Sequence, residues 1–330
     1  MDSSVYRDRD LLKIGAAWLD DGQPFASATV ISTWGSAPRE VGAFMLVDGD
    51  GQFLGSVSGG CVENAVVESA QASMRAGEAR LVEFGVSNDD VLSIGLACGG
   101  QIQVLIEPSV GSERHWIGYA YQAVHDRNVS TLLRELDVTD LDRPIVGSKW
   151  VQAGHADFGR KTGLDIDHSV FLQTFRPERR AIIIGGVHIA QALVTGLQLL
   201  EFDVLVVDPR EVWANAERFP TCTIINQWPD DALTDIRIDS ETAIIALTHD
   251  PKFDDPALLL ALNSSAFYVG ALGGTKSANS RRLRLLENGL TDLEIDRLQS
   301  PVGLSIGAKG PSEITVSILA ELISTYRSNR

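Results

Sequence analysis

The stretch that decides the fold of the second half of the chain reads Ala181-Ile182-Ile183-Ile184-Gly185-Gly186-Val187-His188-Ile189-Ala190. Four apolar residues in succession predict a buried strand, the glycine pair predicts a tight turn, and the residues up to Leu200 predict a helix. A second apolar run, Val204-Leu205-Val206-Val207, ends at Asp208. Strand, helix and strand in this order indicate a βαβ unit of a parallel sheet.

Two further apolar runs, Ala243–Leu247 and Phe267–Val269, extend this pattern, and helical sequence follows each of them. Thr248-His249-Asp250 comes directly after the first run, and Gly270-Ala271-Leu272-Gly273-Gly274 comes at the end of the second. Ligands of α/β sheets bind at the carboxyl ends of the strands. We therefore predict a Rossmann-like domain with a mostly parallel sheet over residues 178–330, with its candidate ligand contacts at this edge.

The glycine turn matches a dinucleotide-binding fingerprint only in part. Asp208 lies 208 − 185 = 23 residues after Gly185, close to where a ribose-binding acid is expected. Val187, however, stands at the middle glycine of the G-x-G-x-x-G/A pattern, where backbone must approach a pyrophosphate. The sequence therefore leaves two interpretations open, an NAD(P) site and a βαβ unit without a nucleotide.

Residues 1–177 follow a different pattern, typical of an α+β domain rich in glycine turns. Segment 109–177 is less regular than the rest, and we assign it to this first domain. The predicted helices are Asp10–Leu19, Cys61–Arg75 and Trp116–His125, and the predicted strands are Phe25–Thr33, Ala43–Val47, Gln52–Val57, Arg80–Phe84, Gln101–Ile106, Leu132–Val138 and Val170–Phe175.

Two motifs in this domain place a cysteine beside a glycine pair. They are Ser58-Gly59-Gly60-Cys61-Val62-Glu63 and Gly95-Leu96-Ala97-Cys98-Gly99-Gly100. Glycine lets backbone come close to a ligand, and a thiol can be a soft ligand, a sulfur carrier, a nucleophile or a small buried hydrophobe. Backbone N–H groups at the start of the predicted helix favour a negative thiolate at Cys61, and Glu63 opposes it.

Three further features of the sequence are less specific: a turn that ends in an arginine, a cluster of arginines, and an Asp-Pro pair. The turn Gly35-Ser36-Ala37-Pro38-Arg39 presents a hydroxyl at Ser36 and a guanidinium at Arg39, which suit a phosphate or carboxylate as well as solvent. The cluster Arg281, Arg282 and Arg284 is typical of a solvated face. Asp255-Pro256 predicts the start of a helix.

Composition restricts the class of protein. The 330 residues suffice for two domains, and the net charge of 28 − 44 = −16 disfavours nucleic acid as a partner. The N-terminus has no apolar core of a signal peptide, and we expect no membrane span. Three widely spaced cysteines form neither a disulfide framework nor a zinc pattern. A reducing cytoplasm is the expected location.

The motifs, taken together and in order, resemble the XdhC/CoxI family of xanthine dehydrogenase accessory proteins. The resemblance extends over nearly the whole chain. Besides the two glycine–cysteine motifs, the turn at residues 35–39 and the stretch at 185–191, it rests on Gly42-Ala43, Ile106-Glu107-Pro108, Asp208-Pro209-Arg210, Glu217-Arg218-Phe219-Pro220, Leu247-Thr248-His249-Asp250-Pro251-Lys252, Gly270-Ala271-Leu272-Gly273 and Gly303-Leu304-Ser305-Ile306-Gly307-Ala308.

This resemblance implies an N-terminal XdhC/CoxI domain, a C-terminal Rossmann domain and a homodimer. It also implies a function: to bind molybdenum cofactor, hold it during sulfuration, and deliver it to an apo molybdenum hydroxylase of the xanthine dehydrogenase or CO dehydrogenase type. A cysteine desulfurase is a candidate partner. The protein would then be an insertion chaperone rather than an enzyme.

With the resemblance added, Cys61 and Cys98 become candidate molybdenum contacts, since soft thiolates suit such a metal centre. Two alternatives stay open, an NAD(P)-dependent oxidoreductase and a sulfurtransferase that carries a persulfide on one of these cysteines. The candidate cofactor-binding residues are Ser36, Arg39, Ser58, Gly59, Gly60, Cys61, Glu63, Cys98, Gly99, Gly185, His188, Asp208, Arg210, His249, Asp250 and Gly273.

Overall fold

The structure is a computed structural model that describes residues 6–35, 39–85, 100–110, 115–165, 167 and 169–328. The chain divides into two compact units, Met1–Pro177 and Glu178–Arg330. We call them the first and the second unit.

The first unit contains a five-stranded antiparallel sheet with the strand order β3-β2-β1-β5-β4. Its central strand β1 is buried from Phe25 to Ile31, because helices and a second sheet cover its two faces. The strands are β1 (Phe25–Trp34), β2 (Phe44–Asp48), β3 (Phe53–Gly55), β4 (Arg80–Phe84) and β5 (Gln101–Pro108).

Four more strands form a second antiparallel sheet in the same unit, in the order β7-β6-β9-β8. Three helices pack around the sheets, with apolar stripes that include Leu11, Val66 and Ile117. These elements are α1 (Asp8–Asp20), α2 (Glu63–Ala76), α3 (Trp116–His125), β6 (Ser130–Leu136), β7 (Ile145–Val151), β8 (Gly163–Asp165) and β9 (Val170–Phe175).

The second unit is built on a six-stranded sheet in the order β12-β11-β10-β13-β14-β15, and every strand pair in it is parallel. Apolar residues line both faces of β10, since Ile183 packs into one core and Ile182 into the other. The strands are β10 (Arg180–Ile184), β11 (Asp203–Val207), β12 (Thr223–Ile225), β13 (Thr242–Ala246), β14 (Tyr268–Ala271) and β15 (Leu298–Gln299).

Helices cover both faces of this sheet. They are α4 (His188–Leu199), α5 (Pro229–Asp235), α6 (Pro251–Leu262), α7 (Thr275–Glu287), α8 (Asp292–Ile295) and α9 (Gly310–Ser328). The predicted α+β domain and the predicted Rossmann-like domain with a parallel sheet are thus both confirmed.

The start of α6 corrects one prediction. The helix begins at Pro251 rather than at Pro256, and the Oδ1 atom of Asp250 accepts a hydrogen bond of 3.0 Å from the N–H of Lys252. Asp250-Pro251 therefore supplies the cap and the first-turn proline that Asp255-Pro256 predicts. The Asp255 carboxylate instead forms an ion pair with Arg284, and Pro256 lies inside the helix.

Candidate functional site

The first glycine–cysteine motif forms the loop between β3 and α2. Gly59 and Gly60 have φ angles of 77° and 114°, in the left-handed region that favours glycine. A Cβ atom built on Gly60 would meet nothing within 4 Å, so the backbone conformation, not close packing, requires glycine there. The loop thus presents bare backbone beside an open space.

Glu63 holds this loop in place from the first residue of α2. Its Oε1 atom accepts hydrogen bonds from the Ser56 hydroxyl (2.6 Å) and the Ser58 N–H (2.9 Å). Its Oε2 atom accepts from the Ser58 hydroxyl (2.6 Å) and the Gly60 N–H (3.0 Å). The Val57 N–H also donates to Oε1, and the Val62 N–H donates to Oε2. The loop of residues 56–62 is therefore held together mainly by hydrogen bonds to this carboxylate.

These hydrogen bonds also set the charge of Glu63. Burial works to raise its pKa, but the hydrogen bonds from Ser56 and Ser58 outweigh burial and lower the pKa to about 2. The side chain is buried and stays ionised at neutral pH. The loop consequently encloses a fixed negative charge.

The backbone N–H groups of the loop that leads into α2 are not available to a ligand. Every backbone N–H from Val57 to Val62 donates to Glu63, to the Ser56 hydroxyl or to the Ser58 hydroxyl. Cys61 itself is exposed, and its N–H donates to the Ser58 Oγ atom at 3.0 Å. The thiol therefore stands at the surface of a rigid loop whose helix dipole is already matched by Glu63.

A pocket of about 550 Å³ lies beside this loop. Arg39 reaches it, and the Nε atom of Arg39 is buried and has no hydrogen-bond partner among the described residues. The sequence predicted that Arg39 and the glycine pair belong to a binding site, and the structure brings both to this pocket. Its lining residues are Tyr6, Arg39, Phe53, Leu54, Gly55, Ser56, Gly59, Gly60, Glu63 and Asn64.

Three of the predicted site residues, Ser36, Cys98 and Gly99, lie outside the described residues. Sequence reasoning missed Tyr6, Phe53 and Asn64, because they come from three separate segments and carry no motif of their own. Phe53 is 42% exposed, and this exposed aromatic ring is visible only in the structure, because the sequence does not show which apolar residues stay exposed.

In the second unit, the glycine pair after β10 serves close packing of backbone. A Cβ on Gly185 would lie 2.5 Å from the Thr248 Cγ2 atom, and a Cβ on Gly186 would lie 2.5 Å from the carbonyl oxygen of Trp213. Either contact is shorter than van der Waals distance. These neighbours account for both glycines without a bound nucleotide.

Asp208 is buried beneath this turn, and both oxygen atoms of its carboxylate accept hydrogen bonds. Its Oδ2 atom accepts from the Gly186 N–H at 2.9 Å and from Arg210 Nη2 at 2.7 Å, and its Oδ1 atom accepts from Arg210 Nε at 2.8 Å. Burial raises the pKa of Asp208, but the hydrogen bonds from Arg210 and Gly186 outweigh it and lower the pKa. Asp208 thus fastens the turn to Arg210 instead of facing solvent.

Arg210 belongs to a stack of planar groups at the carboxyl ends of the strands. Its Cζ atom lies 4.8 Å from the ring centre of Phe253 and 5.4 Å from that of Trp213. The rings of Phe253 and Trp228 are 5.0 Å apart and nearly parallel, at 13°. Sequence reasoning missed these aromatic residues, although each lies a few residues beyond the end of a strand.

The predicted histidines lie at the same edge of the sheet. His249 is exposed and has a φ angle of 61°, a rare conformation for a residue with a side chain, and His188 is exposed at the first residue of α4. The side chain of Asp250 caps α6, and the neighbouring Thr248 hydroxyl donates to Asp254 at 2.7 Å. The edge therefore offers two exposed imidazoles above a network of paired acids.

Within the described ranges, no group of three or more His, Cys, Asp or Glu residues is placed to hold a metal ion. In the same part of the chain, no helix is both long and apolar enough to cross a membrane.

An antiparallel α+β unit with a glycine–cysteine loop and a parallel Rossmann-like unit together define a two-domain class of protein. Residues 18–85 match the XdhC and CoxI family, and residues 181–322 match the XdhC Rossmann domain. The chain belongs to the XdhC and CoxI family.

Three similar proteins span this chain almost end to end. A protein of Bacillus subtilis (strain 168) that is named as a probable xanthine dehydrogenase subunit is 29% identical over 94% of this chain and 96% of its own length. "Molybdenum cofactor insertion chaperone PaoD" of Escherichia coli (strain K12) is 28% identical over 96% of this chain and 88% of its own length. A crystal structure of a xanthine dehydrogenase from Bacillus halodurans is 30% identical, with a TM-score of 0.72 over 98% of this chain and 97% of that one.

Proposed function

We propose that this chain binds molybdenum cofactor at the Gly59-Gly60-Cys61 loop of the first unit and delivers it to an apo molybdenum hydroxylase of the xanthine dehydrogenase type. The observation that carries the proposal is the pocket beside this loop, supported by the similarity to the insertion chaperone PaoD. In this role the protein is a chaperone, and the cofactor is its cargo.

The pocket suits cargo of this chemistry. Molybdenum cofactor is an anionic pterin whose metal is held by a dithiolene and carries oxo or sulfido ligands. A volume of about 550 Å³ lies within the range of roughly 300–1,000 Å³ that small-molecule sites occupy. Arg39 supplies a cationic guanidinium for the anion, while Tyr6 and Phe53 supply aromatic surface for the ring.

The residues of the loop divide into contacts and supports. Cys61 offers a soft sulfur ligand to the metal, and Gly59 and Gly60 let the cargo approach the backbone. Ser58 and Glu63 hold the loop through the hydrogen bonds described above. Ser36, Cys98 and Gly99 remain predicted contacts from the sequence.

The carboxyl ends of the strands in the second unit are proposed as a ligand-binding edge of that unit. His188, His249 and Gly273 are the proposed contacts there, while Gly185, Asp208, Arg210 and Asp250 keep the edge in shape. Sulfuration of the held cofactor with the help of a cysteine desulfurase, a homodimer and a cytoplasmic location complete the proposal.

Cofactor retention tests the function directly. The full chain is incubated with molybdenum cofactor and desalted, and the bound pterin is oxidised and measured by fluorescence. We expect the wild type to retain pterin and the variants Cys61→Ser and Arg39→Ala to retain at least tenfold less.

Matched controls come from the same chain. Cys222 is half-buried, and burial raises its pKa to about 11, so Cys222→Ser should retain cofactor like the wild type. Arg75→Ala, at an exposed position of α2, should do the same. A wild-type protein that retains no pterin at micromolar concentration contradicts the proposal.

The exposed thiol of Cys61 also favours a second candidate, a sulfurtransferase. Mass spectrometry after treatment with a cysteine desulfurase would show one added sulfur on Cys61, which Cys61→Ser would lose. Titration with NAD(H) and NADP(H) tests the oxidoreductase alternative, and saturable binding at millimolar nucleotide would favour it.

A further inference from the structure

The loop between β14 and α7 joins a buried strand to a helix of 13 residues through Leu272-Gly273-Gly274. The helix begins with Thr275, Lys276 and Ser277, and Thr275 and Lys276 are exposed. Two glycines, two hydroxyls and an ammonium group therefore come together at one helix N-terminus. Strand, glycine turn and helix in this order are the usual setting for phosphate recognition by backbone N–H groups.

The N–H groups at this helix start are unpaired. In the described part of the chain, the backbone N–H groups from Gly273 to Ser277 have no hydrogen-bond partner, and Gly274 provides no side-chain cap. The neighbouring helix α6 differs, because the Asp250 carboxylate caps it. Helix α2 also differs, because it carries the acidic residue Glu63 in its first turn. Of these three helices, α7 alone leaves its partial positive charge without a matching anion.

A buried arginine lies directly under this turn. Arg281 is 3% exposed, and a Cβ atom built on Gly273 would lie 3.7 and 3.8 Å from its Nη1 and Nη2 atoms. The sequence suggested a solvated face for Arg281, and the structure corrects this, because α7 turns that side chain towards the Leu272 carbonyl and the Ser300 hydroxyl. Its Nε atom has no hydrogen-bond partner among the described residues.

The charge of Arg281 is only partly balanced. The Oδ2 atom of Asp254 lies 3.6 Å from the Nη2 atom of Arg281, which is beyond hydrogen-bond distance. This Oδ2 atom has no hydrogen-bond partner in the described ranges. Asp255, the other nearby acid, forms its ion pair with Arg284. Arg281 and Lys276 therefore outweigh Asp254 at this helix start. A buried cation with an incomplete set of partners is a costly arrangement, which a bound anion would relieve.

We propose that the start of α7 is a phosphate-binding site, in which the backbone N–H groups of residues 273–277, the ammonium of Lys276 and the hydroxyls of Thr275 and Ser277 hold a phosphoryl group above Arg281. The ligand class is a phosphate, either as a small-molecule phosphate ester or as the free ion. The site does not depend on the nature of the cargo proposed for the first unit.

A substitution that places a carboxylate of the protein itself at these N–H groups tests this proposal. Gly274 has φ and ψ angles of −81° and 172°, and a Cβ atom built on it would meet nothing within 4 Å. Aspartate is a preferred N-cap in this conformation. Gly274→Asp therefore brings a carboxylate to the same N–H groups, so that it should stabilise the helix and exclude phosphate.

The binding measurement is calorimetric titration of the full chain at low salt with inorganic phosphate, pyrophosphate and ribose 5-phosphate. We expect saturable binding to the wild type, and at least tenfold weaker binding to Gly274→Asp and Lys276→Ala. The melting temperature of Gly274→Asp should be unchanged or higher, which separates loss of binding from loss of fold. Lys252→Ala is the matched control, because this exposed lysine lies in the first turn of the capped helix α6.

The two sources of phosphate are separated by relative affinity. Tighter binding of ribose 5-phosphate than of inorganic phosphate assigns the site to an ester, and equal or weaker binding assigns it to the free ion. Absence of binding by all three ligands overturns the proposal. So does binding to Gly274→Asp and Lys276→Ala with wild-type affinity, whatever the pterin experiment on the first unit shows.

Discussion

Glu63 shows how a single side chain determines the shape of the proposed cofactor loop. Its carboxylate accepts hydrogen bonds from two hydroxyls and from backbone N–H groups, and so it replaces the water that these donors would otherwise bind. Hydrogen bonds to a buried charged acceptor are stronger than those between neutral groups. The exposed position of Cys61 follows from this arrangement.

Glu63→Gln should destabilise the first unit by about 2–3 kcal/mol, because the amide removes the charge and turns an NH₂ group towards backbone donors. Urea unfolding at pH 7 measures the change. Glu68→Gln, on a less buried face of the same helix, should change stability by less than about 0.5 kcal/mol. Equal stability of the two variants would show that Glu63 does not support the loop.

The sequence located parts of the candidate site and missed others for a physical reason. Arg39, Gly59 and Gly60 belong to continuous motifs, and the structure places all three at one pocket. The support by Glu63 depends on how the chain folds back over seven residues, which a motif does not encode. The basic neighbours of Arg281 predict an exposed side chain, yet the pitch of α7 turns it inward.

Among the elements, the sheets of the first unit are joined by a buried ion pair. Arg134 on β6 binds Glu107 on β5 through two hydrogen bonds, of 3.0 Å and 2.9 Å. Its guanidinium carbon also lies 5.4 Å from the ring centre of Trp116 and 5.7 Å from that of Phe171. The Arg134 side chain has no exposed surface, so its charge depends on Glu107 and on these rings.

Glu107→Ala should therefore destabilise the protein by about 3–5 kcal/mol, since it leaves a buried guanidinium without its carboxylate. Chemical denaturation followed by circular dichroism checks this value. Glu78→Ala breaks the ion pair with Arg143, whose side chain is 72% exposed, and should cost less than about 1 kcal/mol. A cost for Glu107→Ala as small as that of Glu78→Ala would contradict the role of the buried pair.

The turn after β10 gives a second prediction at this scale. Gly186→Ala should destabilise the second unit by about 1–3 kcal/mol or more, because the new methyl group would lie 2.5 Å from the Trp213 carbonyl oxygen. Gly274→Ala, at the N-cap of α7, meets open space and loses only the N-cap preference for glycine over alanine, so it should lower the thermal unfolding midpoint less than Gly186→Ala does. A midpoint for Gly186→Ala equal to that of Gly274→Ala would contradict this explanation of the glycine pair.

The elements that the sequence predicted are those whose burial produces a strong pattern. β4, α3 and β9 lie at their predicted positions, and β10 differs by one residue. β7 was missed because exposed polar and apolar residues alternate irregularly along it, and β12 and β15 because they have three and two residues. Short or exposed strands depend on their neighbours for pairing, and a local pattern does not reveal them.

For the whole molecule, two buried titratable groups predict how acid changes the stability of the folded state. His115 lies in the core of the first unit, where burial, despite Glu107, lowers its pKa from 6.5 to about 4. The hydrogen bonds that the Glu63 carboxylate accepts lower the pKa of Glu63 from 4.5 to about 2. In both cases the unfolded chain takes up the proton first, so acidification favours unfolding.

The free energy of unfolding should therefore fall in two successive ranges of pH. His115 contributes from pH 6.5 down to about 4, and Glu63 from pH 4.5 down to about 2. At 1.36 kcal/mol for each pKa unit, each group accounts for about 3 kcal/mol. The variant His115→Asn keeps a side chain that can cap α3 but does not titrate. Urea unfolding at intervals of half a pH unit should therefore show that its free energy of unfolding changes less between pH 6.5 and 4.5 than that of the wild type. His125→Asn, at an exposed position at the end of the same helix, should keep the wild-type slope, and an unchanged slope in His115→Asn would refute this assignment.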